Sequence, residues 1–212
     1  MNVANYDFYG QLNQRQSALI DLVNDRFEPP ISEIAGGMCY MLSMQLLLDY
    51  LGRTDDSRTP ENIFDRLTDA QDGGAYLRQI AGNFRAYIDS RFSLGNLSAQ
   101  TGTYISELSR RRYEVTHMSS FSSSTVPSSL SEPDSPRHGL LIVLFYTNSD
   151  GTESGHAVAV VHDSAGYALY DPNYGICRFS NVSEICTTVL PALYCQAGVR
   201  EHLYLIRRLK ED

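Results

Sequence analysis

One stretch of this chain leaves little freedom in how it can be buried: Met38-Cys39-Tyr40-Met41-Leu42-Ser43-Met44-Gln45-Leu46-Leu47-Leu48-Asp49-Tyr50-Leu51. Gln45 and Asp49 lie one helical turn apart, so a helix here offers water a narrow stripe and must run through a core. Gly36-Gly37 hinges the loop before it and Gly52 ends it. The first turn of such a helix carries unpaired N–H groups and partial positive charge. Cys39 stands at that start, where a thiolate is favoured over a thiol.

At 212 residues the chain suits one domain, 1–212, long enough to bury a full core. A formal charge of −8 leaves no room for the large basic surface that nucleic-acid binding needs. The strongest apolar run, Leu140 to Tyr146, is too short to span a bilayer, so no transmembrane segment is expected. The start, Met1-Asn2-Val3-Ala4-Asn5-Tyr6-Asp7, has neither the basic nor the apolar part of a Sec signal. Cysteines at 39, 177, 186 and 195 lack zinc-finger spacing and are too sparse for a disulfide scaffold, which fits a reducing compartment. Cys177, Cys186 and Cys195 are expected as small buried residues.

Along the chain the texture changes. From Gln11 to about Arg112 the pattern is helical, with segments near 19–27, 38–51, 75–91 and 98–112. Thr59-Pro60-Glu61-Asn62 opens a further short helix with a cap and a proline in its first position. Residues 118–137 hold nine serines and three prolines and are expected as a long loop. Strands follow: 140–146, 156–162, 167–171, a short one at 177–179, and 203–206, with a helix over 182–194 despite Pro191. Helices first and an antiparallel sheet second make the fold class α+β.

Two downstream segments carry groups that can work with a thiol: Gly155-His156-Ala157-Val158-Ala159 and Tyr170-Asp171-Pro172-Asn173-Tyr174-Gly175. If the 156–171 hairpin turns at Ser164-Ala165, Asp163 faces Gly166 and opposed residues sum to 329. His156 and Asp171 then become diagonal neighbours on one face, roughly 7–8 Å apart at the backbone, within reach of an imidazole–carboxylate hydrogen bond. A one-residue bulge at Gly166 would break that parity. Pro172 ends the pairing and leaves the carboxylate at the sheet's edge. Sulfur nucleophile, imidazole base and orienting carboxylate compose a reaction site if the fold joins them. His162, six residues along the same strand and about 20 Å from His156, cannot serve the same sulfur. His117, His138 and His202 are expected at surface or loop positions, and Arg110-Arg111-Arg112 as a helix C-terminal charge cluster. Cys39, His156 and Asp171 could hold zinc, but no other feature suggests an open metal site, and no cofactor is expected.

Gly37-Met38-Cys39 with Leu42-Ser43 behind it, the Gly155–Ala159 segment and the Asp-Pro-Asn-Tyr-Gly phrase together resemble the YopT/AvrPphB-like family of bacterial effector cysteine peptidases, in the papain-like clan. The order and the separations, 117 residues and then 15, are similar to that family. The resemblance implies a papain-like fold, with the cysteine helix of a helical N-terminal half packed on a C-terminal antiparallel sheet. It implies Cys39 as nucleophile, His156 as base and Asp171 as orienting acid, acting on a protein substrate. It further implies delivery by a dedicated bacterial secretion system and action in a target cell, in its cytosol, as a monomer. The family tends to place an Asn or Gln a few residues before the cysteine to hold the oxyanion. Here Ser32-Glu33-Ile34 occupies those positions, so the task falls to backbone N–H groups. The same triad also suits a glutamine deamidase or transglutaminase, or a peptidoglycan amidase, and Glu33 keeps open an inactive papain-like binding module.

Overall fold

In the computed structural model, residues 38–52, 59–68, 113–119, 138–147, 150–151, 153–193 and 200–208 are described, together with Phe8. The segments expected as helices near 19–27, 75–91 and 98–112, the Arg110–Arg112 cluster, most of the 118–137 stretch and Cys195 lie outside them. The cysteine helix is α1, Met38–Leu51, and Gly52 closes it by donating its N–H to the Leu48 carbonyl. The second helix is α2, Pro60–Thr68. Thr59 caps it, its hydroxyl oxygen accepting from the Asn62 N–H, as the Thr-Pro start predicts.

Six strands form one antiparallel sheet: β1 Tyr113–Ser119, β2 His138–Thr147, β3 Glu153–Asp163, β4 Gly166–Asp171, β5 Gly175–Phe179 and β6 Arg200–Arg208. Their spatial order is β1-β6-β2-β3-β4-β5. Together with the helices this is a mixed α+β architecture. Strand β1 was not expected. It is short and only weakly apolar, and it exists because β6 offers it a full ladder from Tyr113–Arg208 to Ser119–His202. The first residues of the expected serine-rich loop therefore belong to a strand. His117 and His202 sit in strands β1 and β6, and His138 is buried at the start of β2, so none of the three is a loop residue.

Period-two alternation splits the core in two. Leu141, Val143, Ala157, Ala159, Val161, Ala168 and Tyr170 point to the face covered by α1 and by Ile63 and Phe64 of α2. Leu140, Ile142, Leu144, Val158, Val160, Leu169, Cys177 and Phe179 point to the other face, covered by the helical run after β5. That run is α3 (Val182–Glu184), a π-helical turn (Ile185–Val189) and α4 (Leu190–Leu193). Pro191 accounts for the wide turn. It has no N–H for the Thr187 carbonyl and its ring would crowd that group, so the ladder slips and Leu190 donates to Ile185 instead.

The β3–β4 hairpin keeps the expected pairing sum, from Ala159–Tyr170 to Asp163–Gly166. The Asp163 carboxylate accepts the Ala165 N–H in the turn, and Gly166 supplies φ +108°. Arg178 of β5 fixes this end of the sheet. Its guanidinium donates twice to Glu61 of α2, at 2.7 and 2.8 Å, and once to Asp163, at 2.6 Å. Burial works against the Glu61 charge, yet the Arg178 hydrogen bond wins and holds that carboxyl below its ordinary value. A Cβ at position 166 would meet the Phe179 carbonyl oxygen at 2.8 Å in a backbone conformation that L side chains avoid. Gly166→Ala is therefore expected to cost about 1–3 kcal/mol through backbone strain alone, read as a lowered urea midpoint. An unchanged midpoint would contradict the turn geometry.

Candidate active site

Helix α1 lies along β3 and runs in the same direction. The Ser43 hydroxyl donates to the Ala157 carbonyl at 2.9 Å, and seven residues later the Tyr50 hydroxyl donates to the His162 carbonyl at 2.6 Å. Cys39 is one turn upstream of Ser43, which brings the helix start level with the beginning of β3, where His156 sits.

By pairing parity His156 belongs to the sheet face away from α1, because it opposes Leu144 of that second core. The end of β4 resolves the conflict. Carrying the β3–β4 sum one step past Asp171 would set Ala157 against Pro172, which has no N–H to offer. At this level β3 has lost its β4 partner and keeps only β2 beside it, which leaves the first turn of α1 a way round the unpaired side of the strand toward the imidazole. The sulfur is near enough to the ring to raise its basicity. Cys39 is half-buried and remains open to solvent on one side, whereas His156 is 5% exposed and Asp171 fully buried.

The Asp-Pro-Asn-Tyr-Gly phrase has a local physical explanation. Asp171 is the last residue of β4 and pairs with Gly175, whose φ of +111° turns the chain into β5. The Asp171 Oδ1 accepts the Asn173 N–H at 2.8 Å and faces the His156 Nε2 at 3.0 Å. The Tyr174 N–H closes the turn onto the Asp171 carbonyl. The carboxylate is thus at a strand end inside the sheet, not at its edge, because β5 pairs beyond it.

Burial opposes charge on the His156 ring, but hydrogen bonds to Asp171 and to the Cys39 sulfur, and the negative charge on both, outweigh it and push its pKa up to about 10. His162, the competing histidine, is at the opposite end of β3 with its ring 4.4 Å from that of Tyr167.

Three tyrosines without a role in the sequence reading feel the charges of this site. Tyr146, near the end of β2, is held neutral to higher pH by burial and by the charges of Cys39 and Asp171. Tyr174 is shifted the same way by burial, then by Asp171 and Tyr146, and its ring lies 5.6 Å from that of Phe8. Tyr170, in the core on the α1 side against Phe64, is buried. Only the position of Tyr146, two residues past Leu144 on the strand beside His156, could have marked it in advance. No group of three or more His, Cys, Asp or Glu among the described residues could hold a metal ion. No helix among them is long and apolar enough to cross a membrane.

Comparison with known proteins adds a family to this geometry. The model of the family Peptidase_C58, described as Yersinia/Haemophilus virulence surface antigen, matches residues 3–202. A search of curated proteins gives no match. Among solved structures, the Pseudomonas avirulence protein AvrPphB is similar over 80% of this chain and 91% of its own, at 17% identity and a TM-score of 0.46. The family match covers nearly the whole chain: this protein belongs to the Peptidase_C58 family, the cysteine peptidases of bacterial virulence effectors.

Proposed function

We propose that the peptidase chemistry is carried by Cys39, His156 and Asp171, in a papain-like domain that spans the chain and cleaves a specific protein of the target cell. The observation that carries this reading is the 3.0 Å contact between the His156 ring and the buried Asp171, with the Cys39 sulfur near enough to raise the ring's basicity. A ring that holds its proton at neutral pH favours sulfur in the thiolate form, the stronger nucleophile.

The thiolate attacks the scissile carbonyl carbon and forms a tetrahedral oxyanion. The first backbone N–H groups of α1, including that of Cys39, point out of the helix start and are the donors available to it. His156 gives its proton to the departing amine, which breaks the C–N bond and leaves a thioester on Cys39. The neutral ring then takes a proton from water, whose oxygen attacks the thioester, and the released sulfur recovers its thiolate beside imidazolium. Asp171 keeps the ring oriented through both steps, and its second contact, the Asn173 N–H, keeps the carboxylate oriented. Tyr146, which feels the charge of Cys39, is an aromatic group near the sulfur suited to packing against substrate side chains. The target, by family character, is a protein met after secretion into another cell.

Cys39→Ala is expected to abolish cleavage while preserving the fold, and His156→Ala to cost about 10²–10⁴-fold. The measurement is a comparison of new N-termini in a host-cell lysate incubated with wild type and with each variant. Identical sets of N-termini from wild type and Cys39→Ala would rule out this nucleophile. Glutamine deamidation without scission would move the chemistry to side-chain amides.

A second prediction concerns pH. The folded-state pKa of His156 is raised above its unfolded value, so its stabilising contribution is complete below about pH 6.5 and declines as pH rises through about 10. The stability advantage of wild type over His156→Gln, measured by urea unfolding, should shrink across that window. An advantage independent of pH would show that the folded ring does not hold its proton.

A further inference from the structure

Resting on the triad above, we propose that Ser43 is a positioning residue that sets the separation between the Cys39 sulfur and the His156 ring. Cys39, Ser43 and Tyr50 fall on one stripe of α1, four and eleven residues apart, a spacing that returns each to nearly the same side of a helix. Nucleophile and both hydroxyls therefore face the same strand.

The two hydroxyl contacts to β3 are chemically alike and differ in where they act. Along the axis Ser43 is roughly 6 Å from Cys39 and Tyr50 roughly 16 Å. Ala157 and His162 are roughly 17 Å apart on the strand, against roughly 10 Å between Ser43 and Tyr50, and the long tyrosine side chain makes up the difference. A short, stiff side chain thus holds the near end and a long, compliant one the far end. Ser43 is fully buried, and a helix serine's hydroxyl commonly turns back on the carbonyl four residues earlier in its own helix. Here it crosses to Ala157, the residue after His156 and the one that Pro172 leaves without a ladder partner on the β4 side. One hydrogen bond ties the strand segment that carries the base to the helix turn that carries the nucleophile.

The test compares Ser43→Ala with Tyr50→Phe, two variants that each delete one hydroxyl–carbonyl contact between α1 and β3. Alkylation of Cys39 by iodoacetamide is followed against pH, with peptide mass spectrometry assigning the site and urea unfolding measuring stability. In Ser43→Ala the rate at pH 7 should fall about tenfold, the scale expected when reacting groups are displaced by a fraction of an ångström. In Tyr50→Phe the rate should stay within about twofold of wild type even though stability drops, because the lost contact is remote from the sulfur. Ser43→Thr, which keeps the hydroxyl, should return the wild-type profile and keeps the test available if the alanine variant does not fold. A Ser43→Ala profile that matches Tyr50→Phe, or a threonine variant as slow as the alanine one, overturns the positioning role. His156→Ala separates the two readings. If it alkylates as fast as wild type, the triad itself fails, and the Ser43 role with it. If it is slow while Ser43→Ala is not, only the Ser43 role fails.

Discussion

Pro172 cannot donate a backbone hydrogen bond, and the early end of β4 that follows is the constraint on which the site rests. A sheet normally keeps the side chains of its two faces apart, and His156 has the parity of the face that α1 does not cover. Where β4 stops at Asp171, the first turn of α1 and the imidazole share one space. The same missing N–H leaves the Ala157 carbonyl on that side for Ser43. A single residue thus accounts for a gap through which the groups meet and for an anchor that holds one of them there.

Burial at this point is electrostatically expensive. A carboxylate with no exposed surface needs hydrogen-bond partners in place of water. Asp171 has two compensating partners on one oxygen, the His156 ring and the Asn173 N–H. The half-buried sulfur of Cys39 adds its own influence on the ring. The ring's raised pKa depends on both neighbours, so removal of either should lower it.

Much of this was legible from residues alone, for reasons that can be named. The hairpin from 156 to 171 has a short polar connection ending in glycine, which fixes the register and with it the proximity of imidazole and carboxylate. The apolar run from Met38 has one way to be buried, and Thr59-Pro60 has one common use. Other parts depend on contacts distant in sequence. β1 acquires its ladder from β6, some ninety residues later. His138 is polar in composition but buried by the strand it opens. Pro191 signals an irregularity without saying whether the helix breaks or widens. Ser43 looks like an ordinary helix serine until the carbonyl it reaches is known, and Tyr146 looks like the polar end of a strand until its neighbours are in place.

The two ends of the β3–β4 hairpin are secured by different chemistry. At the turn, the Arg178 fork between Glu61 and Asp163 holds a guanidinium whose proton is bound even more firmly than usual, through its hydrogen bond to Glu61. At the open end, the link passes through a ring that can be discharged in moderately alkaline solution. Alkali should therefore loosen this ribbon from one side only, fraying the mouth while the bend stays shut, so that the peptidase loses its working geometry before it loses its shape.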